Sequence, residues 1–260
     1  MKNFTRTCKL IIDLSRSDFK ARYAGSFLGV VWGLVNPLMT LCVYWFVFEV
    51  GFRSGPRPDG TAFIVWLTCG MVIWFFLSES VSNSTNSLIE YSYLVKKISF
   101  NIIVLPVVKI VSSLYNHVFF LLVLLVILLT HDYSPHITNV QFLYYLLCGI
   151  YLSTSVGLVT SSLVVFIRDI AQIVGLVIQI GFWLIPIVWS PEIIKEEYMI
   201  LFKLNPVYYL VEGYRDSFID HIWFWDRTVQ TPYFWLVTTV IFIVGLTMFK
   251  KLRPHFADVL

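Results

Sequence analysis

The chain has little charge, few cysteines and no familiar catalytic or nucleotide-binding motif. Lysine, arginine, aspartate and glutamate make up 13% of its 260 residues, which is about half the share found in soluble domains. No glycine is followed by lysine, so the phosphate loop of many ATPases is missing. The motifs His-Glu-x-x-His, Gly-x-Ser-x-Gly and Cys-x-x-Cys are missing too. These absences argue against a soluble enzyme and against an ATPase.

Two further classes of site have no support. The four cysteines show no metal-ligand spacing, and we interpret them as small apolar residues. A net charge of +3 is too small to suggest that the chain binds nucleic acid. We therefore predict no metal site, no catalytic residue and no nucleic-acid partner.

Long hydrophobic runs are what the chain does have. It is 58% hydrophobic, with a mean hydropathy of +0.77, which is typical of a membrane protein. A transmembrane helix needs roughly 20 mostly apolar residues, and six segments qualify: 34–52, 62–80, 102–130, 142–167, 170–189 and 233–249. The third is too long for one upright span, so we expect a bend near Pro106. The sequence predicts an all-α integral membrane protein with six transmembrane helices.

The basic residues suggest an orientation. If the N-terminus is cytoplasmic, 13 of the 19 lysines and arginines fall in segments on the cytoplasmic side, as the positive-inside rule requires. Both termini are then cytoplasmic. We divide the single transmembrane domain, 1–260, into a cytoplasmic interface helix (1–33), spans one to five (34–189), an outer interfacial segment (190–231) and span six (232–250).

Three polar segments lie outside the predicted spans, and the first two have two possible interpretations each. Residues 4–27 form an amphipathic interfacial helix, either a simple anchor or a basic collar that touches a cytoplasmic partner. Residues 83–101 are either a solvated loop or a short helix presented to that partner. Residues 190–231 are expected to form short amphipathic helices at the outer interface.

Isolated polar residues have modest predictions. The Arg168-Asp169 pair separates two membrane-length runs, so it should lie at a membrane surface. His117 falls inside a span, where we favour a neutral histidine bonded to a neighbouring helix over a functional group. Glu212 and Arg215 are three residues apart and can pair on a helix.

Aromatic residues are abundant, at 17% of the chain. Many should lie at membrane interfaces, but some fall deeper. Flat rings stack on the apolar faces of sugars and would let a sugar polymer slide past; ordinary helix packing would use them equally well. The predicted lining consists of Tyr44, Phe48, Trp74, Phe75, Trp183 and Trp189.

A family resemblance covers nearly the whole chain. The chain resembles the ABC type-2 permeases that export O-antigen, capsule or teichoic-acid polymers, and is most similar to the O-antigen and teichoic-acid branch. The order and spacing of several motifs carry this resemblance: 19–23 (FKARY), 28–29 (LG), Trp32, 36–37 (NP), 43–48 (VYWFVF), 168–169 (RD), Pro186, 205–206 (NP) and 212–215 (EGYR).

The resemblance implies a multi-pass protein of the cytoplasmic (inner) membrane that works as a homodimer with two copies of a separate ABC ATPase. The ATPase would bind ATP and Mg, and this chain would bind no cofactor. The substrate would be a polysaccharide linked to undecaprenyl pyrophosphate, and spans one and five of both copies would line its path. A basic collar, either for the pyrophosphate or for anionic lipid, would consist of Lys9, Arg16, Lys20 and Arg22. The ATPase contact would consist of Glu90, Tyr91, Lys96 and Lys97.

Three other functions stay open on the sequence alone. One is a type-2 exporter of a drug or small lipid. Another is a membrane enzyme acting on lipid-linked sugars, although His117, Glu49 and Glu79 are too scattered to form its site. The third is a structural membrane subunit without a transport path.

Overall fold

A computed structural model describes residues 2–23, 29, 31–53, 60–97 and 100–260, and no β-strand occurs among them. The helices are α1 (Lys2–Arg22), α2 (Val31–Trp45, continued by the π-helical turn Phe46–Gly51), α3 (Phe63–Glu90), α4 (Ser92–Val95), α5 (Val104–Thr130), α6 (Phe142–Val164), α7 (Ile170–Leu184), α8 (Glu196–Lys203), α9 (Pro206–Arg215), α10 (Gln230–Leu252) and α11 (Phe256–Val259). Residues 24–28 and 30, which belong to the predicted interface helix and the FKARY–LG motif region, lie outside the described residues, as do 98–99.

The central helix of the bundle is α3. It packs mainly against α5 and α6, and also against α9, α7 and α2. Its N-terminal half is almost entirely buried, with Val65, Leu67 and Ile73 at 0% exposure. Because α3 has neighbours on every side, it does not face lipid along this half.

Five helices are long and apolar enough to cross a membrane: Val31–Gly51, Phe63–Glu90, Val104–Thr130, Ile137–Val164 and Gln230–Val259. They match the predicted spans one, two, three, four and six, so the prediction of an all-α membrane protein is confirmed. Helix α7 is apolar but has only 15 residues, about 22 Å at 1.5 Å per residue. A hydrocarbon core is about 30 Å thick, so span five, and with it the count of six spans, stays a prediction.

One sequence prediction about the spans is wrong. The bend near Pro106 is not needed, because α5 begins at Val104 and Pro106 occupies its first turn, where a missing N–H costs nothing. Of the two alternatives for 83–101, the structure supports helix over a solvated loop, since α3 continues to Glu90 and the short helix α4 follows. Small polar side chains there face neighbouring helices, and Ser84, Thr85 and Ser87 are fully buried.

The segment between α7 and α10 contains the expected short helices. Helix α8 is largely exposed, which suits an interface. Helix α9 is different, since it packs against α3, α6 and α10 and buries most of its residues. Asn205 caps it by accepting a hydrogen bond from the Val207 N–H at 3.0 Å, and Pro206 follows at the first helical position, where proline is favoured.

Candidate functional site

Aromatic rings from three helices meet on the side of the bundle where α2 and α7 lie. Tyr44 stacks on Phe182, with ring centroids 5.2 Å apart, and contacts Trp183 at 6.4 Å. Trp74 of α3 packs on the other part of Phe182 at 5.8 Å. Three of the predicted lining residues therefore converge, and Phe182, which the sequence analysis missed, joins them. Trp183 is 53% exposed, whereas Trp74 is 8% exposed, so the exposed contact surface is mainly that of Trp183.

The other three predicted lining residues lie elsewhere. Phe48 packs against Phe52 and Phe63, and Phe75 packs against Phe120. Trp189 donates its indole N–H to the Trp183 carbonyl at 2.9 Å. Phe48 and Phe75 therefore pack on other rings, whereas Trp189 is bonded to the backbone of Trp183 and packs on Phe202 at 5.6 Å.

The two helices that carry this cluster are poorly covered. All residues of α2 are described, and only Leu41 is buried; among those of α7, only Phe182 is buried. Large apolar side chains are exposed on both helices: Val31, Trp32, Met39, Val43 and Trp45 on α2, and Ile173, Leu176, Val177, Ile180, Trp183 and Leu184 on α7. Such faces need lipid or another protein surface.

Five charged side chains join α1, α3 and α5, and we name them the ion cluster: Asp18, Arg22, Glu79, Glu90 and Lys109. Lys109 donates to Asp18 Oδ1 at 2.5 Å and also to Glu90. Arg22 contacts Asp18 Oδ2 at 3.2 Å and pairs with Glu79. The cluster fixes the interface helix α1 onto the bundle.

Asp18 is the centre of this cluster. It is 6% exposed, and the Tyr91 hydroxyl donates to its Oδ1 at 2.7 Å. Burial alone would raise the pKa of Asp18, but the hydrogen bonds from Lys109 and Tyr91 and the charge of Lys109 lower it below its ordinary value. Asp18 therefore remains charged at neutral pH.

The predicted collar is divided between two faces of α1. Lys9, Arg16 and Lys20 are exposed, and their spacing of seven and four residues places them on one face. Arg22 lies on the opposite face with Asp18, among its carboxylate partners. Arg22 is thus a structural ion-pair partner in this structure, and three basic residues remain for the collar.

The predicted ATPase contact is divided in a similar way. Glu90 and Tyr91 make the bonds to Lys109 and Asp18 described above, while Lys96 and Lys97 are exposed after α4. Leu94 and Val95 of α4 are buried. This short helix is therefore anchored by its apolar residues, and the two lysines that follow it are exposed.

The end of α9 carries a fully buried arginine. Arg215 is 0% exposed and donates to Glu212 Oε1 at 2.6 Å, as predicted, and to the Ile187 carbonyl at 3.2 Å. Its guanidinium carbon lies 3.6 Å from the centroid of the Trp66 ring, within cation–π range. A side chain at Gly70 would come within 2.9 Å of Arg215, so the arginine needs a glycine on α3. Trp66 and Gly70 were not recognised in the sequence.

Next to Arg215 a second ion pair closes the end of α9. Arg227 Nη2 donates to Asp216 Oδ1 at 2.6 Å and Arg227 Nε donates to Oδ2 at 2.9 Å. Burial raises the pKa of Asp216 to about 6, against the lowering effect of Arg227. This bidentate ion pair fixes the segment between α9 and α10 to the end of α9.

The histidine prediction is confirmed. His117 Nε2 and the Tyr214 hydroxyl are 2.9 Å apart, so α5 is bonded to α9. The Arg168-Asp169 pair is exposed in the turn between α6 and α7. The four cysteines are free, and the described residues contain no group of three residues able to hold a metal ion.

Comparison with known proteins decides the family. Residues 10–219 match the model of the ABC-2 type transporter. The chain belongs to this family. An ABC-2 chain is the membrane subunit of a transporter rather than an enzyme, and this one is a multi-pass protein of the inner membrane.

The family's named relatives cover the chain from end to end. An O-antigen export system permease protein RfbA of Klebsiella pneumoniae is 27% identical over 252 residues, which is 96% of this chain and 95% of the relative. A second RfbA from that species is 25% identical over the same shares. An RfbA of Myxococcus xanthus is 28% identical over 253 residues, 96% of this chain and 94% of the relative.

Proposed function

We propose that this chain is the permease subunit of an ABC exporter that moves a polysaccharide linked to undecaprenyl pyrophosphate across the inner membrane. The polymer is of the O-antigen or teichoic-acid class, and a separate ATPase drives its export. The observation that carries this proposal is similarity to O-antigen export permeases along 96% of the chain. The exposed aromatic and apolar side chains of α2 and α7 support it.

The assembly in this proposal is a homodimer with two ATPase subunits that bind ATP and Mg. A second copy would cover the apolar faces of α2 and α7, which neighbouring helices leave open. The path would then run between the copies, with Tyr44 and Trp183 beside it. Both termini would be cytoplasmic, and α7 with the apolar residues 185–188 after it would form span five.

Coupling would pass through α1 and α4. ATP binding can drive export only if it favours one arrangement of the helices over another. The ATPase pair would bear on Lys96 and Lys97, and the ion cluster would transmit the movement of α1 to α3 and α5. Lys9, Arg16 and Lys20 would hold the pyrophosphate of the substrate, or anionic lipid.

Other transported substrates and other functions have less support. The relatives' names favour a polysaccharide over a drug or a small lipid. A membrane enzyme needs converging acidic or histidine side chains, but Glu79 is paired with Arg22 and His117 with Tyr214. These groups are committed to holding helices together.

Removing this chain from its cell is expected to abolish polysaccharide at the surface and to leave polymer inside. Antibody or lectin staining of intact and opened cells measures both amounts. Purified chain alone is expected to hydrolyse no ATP, since it has no phosphate loop, and the complex with its ATPase is expected to do so. Unchanged surface polysaccharide, or ATP hydrolysis by the isolated chain, would contradict the proposal.

Reversing the charges of Lys96 and Lys97 to glutamate is expected to weaken binding of the ATPase or to uncouple ATP hydrolysis from export. Both lysine side chains are exposed, so the variant should keep its thermal stability. Co-purification and ATPase rates provide the readouts. The matched control is the double reversal of Lys250 and Lys251 at the end of α10; an equal effect of both variants would argue for general charge rather than for this contact.

Tyr44→Ala is expected to reduce polymer export. The double variant with Tyr44→Ala and Phe48→Ala is expected to reduce export further. A lost aromatic stack costs on the order of 1 kcal/mol, or a several-fold slower rate. Because both rings also pack within the chain, thermal denaturation in detergent must be measured on the same variants. Stable variants with normal export would refute the path, and unstable variants would show that packing is the main role.

A further inference from the structure

A cavity of about 490 Å³ lies between α2, α3 and α5, beside Ile178 of α7. This volume is within the range that holds small ligands. We name it the α2–α3 cavity. It lies next to the poorly covered faces of α2 and α7, where the proposed path runs.

The polar part of the cavity wall consists of neutral groups. Three amide side chains and three hydroxyls line it: Asn36, Asn83, Asn116, Tyr23, Ser78 and Ser82. Amides and hydroxyls both donate and accept hydrogen bonds. They are therefore suited to a ligand that carries several hydroxyl groups.

The charged part of the wall is balanced. Arg22 and Glu79 both line the cavity, and they pair with one another. Arg22 also contacts Asp18 and the Ser112 hydroxyl. A phosphate would have to compete with two carboxylates for this arginine, so the cavity favours a ligand without charge.

One amide in the wall is incompletely bonded. Asn116 is 5% exposed, and its Nδ2 donates to both Glu79 oxygens at 3.0 Å. Its Oδ1 has no donor among the described residues. A buried acceptor without a donor is costly. This oxygen is itself closed to solvent, so a ligand hydroxyl supplies the missing donor only when the Asn116 amide turns towards the cavity.

The remaining wall is aromatic. Trp32, Phe75 and Phe120 line the cavity, and Trp32 is 45% exposed, so part of its ring is open to a ligand. An apolar ring face beside amide, hydroxyl and carboxylate groups matches the two sides of a sugar ring, which has apolar C–H faces and hydroxyls around its edge.

From these observations we infer that the α2–α3 cavity is a binding subsite for one neutral sugar residue. The inference rests on the proposed function, because it places a sugar of the transported polymer against α3 before or during transport. It adds a sugar-contacting site within each copy, built by Asn116, Ser82 and Trp32. A path lined only by rings would not select among sugars, whereas these amides and hydroxyls would.

The test measures binding of free sugars to the purified full chain, with saturation-transfer NMR as the readout. The probe is the mixture of monosaccharides and short oligosaccharides released by acid hydrolysis of the host cell's surface polysaccharide. The detergent must have a zwitterionic head, because a maltoside head would itself compete for a sugar site. Wild type is expected to show saturation transfer to at least one neutral sugar.

Two variants locate the binding. Asn116→Leu removes the amide, and Ser82→Leu fills the cavity from a half-buried position. Each is expected to weaken binding at least about tenfold, the loss that follows when one or two hydrogen bonds are removed. Thr247→Leu on the exposed face of α10 makes the same kind of change outside the cavity and should bind like wild type. Ser82→Leu keeps the test valid if Asn116→Leu fails to fold.

The outcomes separate this inference from the proposed function. No binding by wild type, or equal binding by folded Ser82→Leu, overturns the subsite even if loss of the chain abolishes export. Selective binding of charged sugars, or loss of sugar binding on addition of inorganic phosphate, also overturns the subsite. Surface polysaccharide that persists without the chain overturns the function instead.

Discussion

Replacing Arg215 by methionine is expected to destabilise the packing of α9 on α3 and to abolish export. The substitution keeps most of the apolar stem but leaves half-buried Glu212 without its cation. Removing one partner of a buried ion pair typically costs about 3–5 kcal/mol. In a chain of this size that corresponds to a fall in denaturation temperature on the order of 10 °C.

The reason for so large an effect lies in the backbone after α7. The residues 185–188 are buried but not helical, and a membrane tolerates such backbone only where protein satisfies its polar groups. Arg215 donates to the Ile187 carbonyl and so provides part of that satisfaction. The same side chain rests on Trp66 of α3, which connects three segments through one guanidinium.

Matched substitutions separate these contributions. Arg253→Met changes an exposed arginine and is expected to leave the denaturation temperature within about 2 °C. Glu212→Met combined with Arg215→Met removes the uncompensated charge and is expected to recover part of the loss. A single Arg215→Met variant as stable as Arg253→Met would show that the buried contacts contribute little.

The sequence predicted most spans because apolar runs of sufficient length have few alternatives to a transmembrane helix. It misjudged α3 because Ser84, Thr85 and Ser87 look like solvated residues in a hydropathy pattern, although they pack between helices. The sequence overestimated the length of the helix in span five, because hydropathy reports apolar character and not helical hydrogen bonding. The apolar run therefore continues through Pro186, while α7 ends at Leu184.

The site was less predictable because its contacts are distant in sequence. Asp18 and Lys109 are 91 residues apart, and no local spacing connects them. Helical spacing within α1, however, separates Arg22 from Lys9, Arg16 and Lys20. That pattern was present in the sequence and would have identified Arg22 as facing inward.

Replacing Lys109 by methionine is expected to detach α1 from the bundle and to stop export. Lys109 is 5% exposed and contacts Asp18, which is 6% exposed; loss of this cation leaves a buried carboxylate with Arg22 as its remaining ion-pair partner in the cluster. We expect a loss of about 3 kcal/mol. Denaturation temperature, protease sensitivity of the N-terminal helix and export measure the effect, with Lys250→Met at an exposed position of α10 as the matched control.

The pH dependence of this variant is the sharper result. In wild type the pKa of Asp18 is lowered, so its stabilising contribution is present above the ordinary aspartate pKa of about 3.9 and is lost as pH falls through the lower folded value. Without Lys109 the pKa of Asp18 rises relative to wild type, because the two Lys109 contributions that lower it are gone and the burial that raises it stays. Asp18 of the variant takes up its proton at a higher pH than in wild type, so the stability deficit of the variant should be largest at pH 7 and shrink towards pH 4. A stability deficit that is constant from pH 7 to pH 4 would show that Lys109 acts through packing and not through its charge. The same conclusion would follow if adding Asp18→Asn to Lys109→Met did not reduce the deficit.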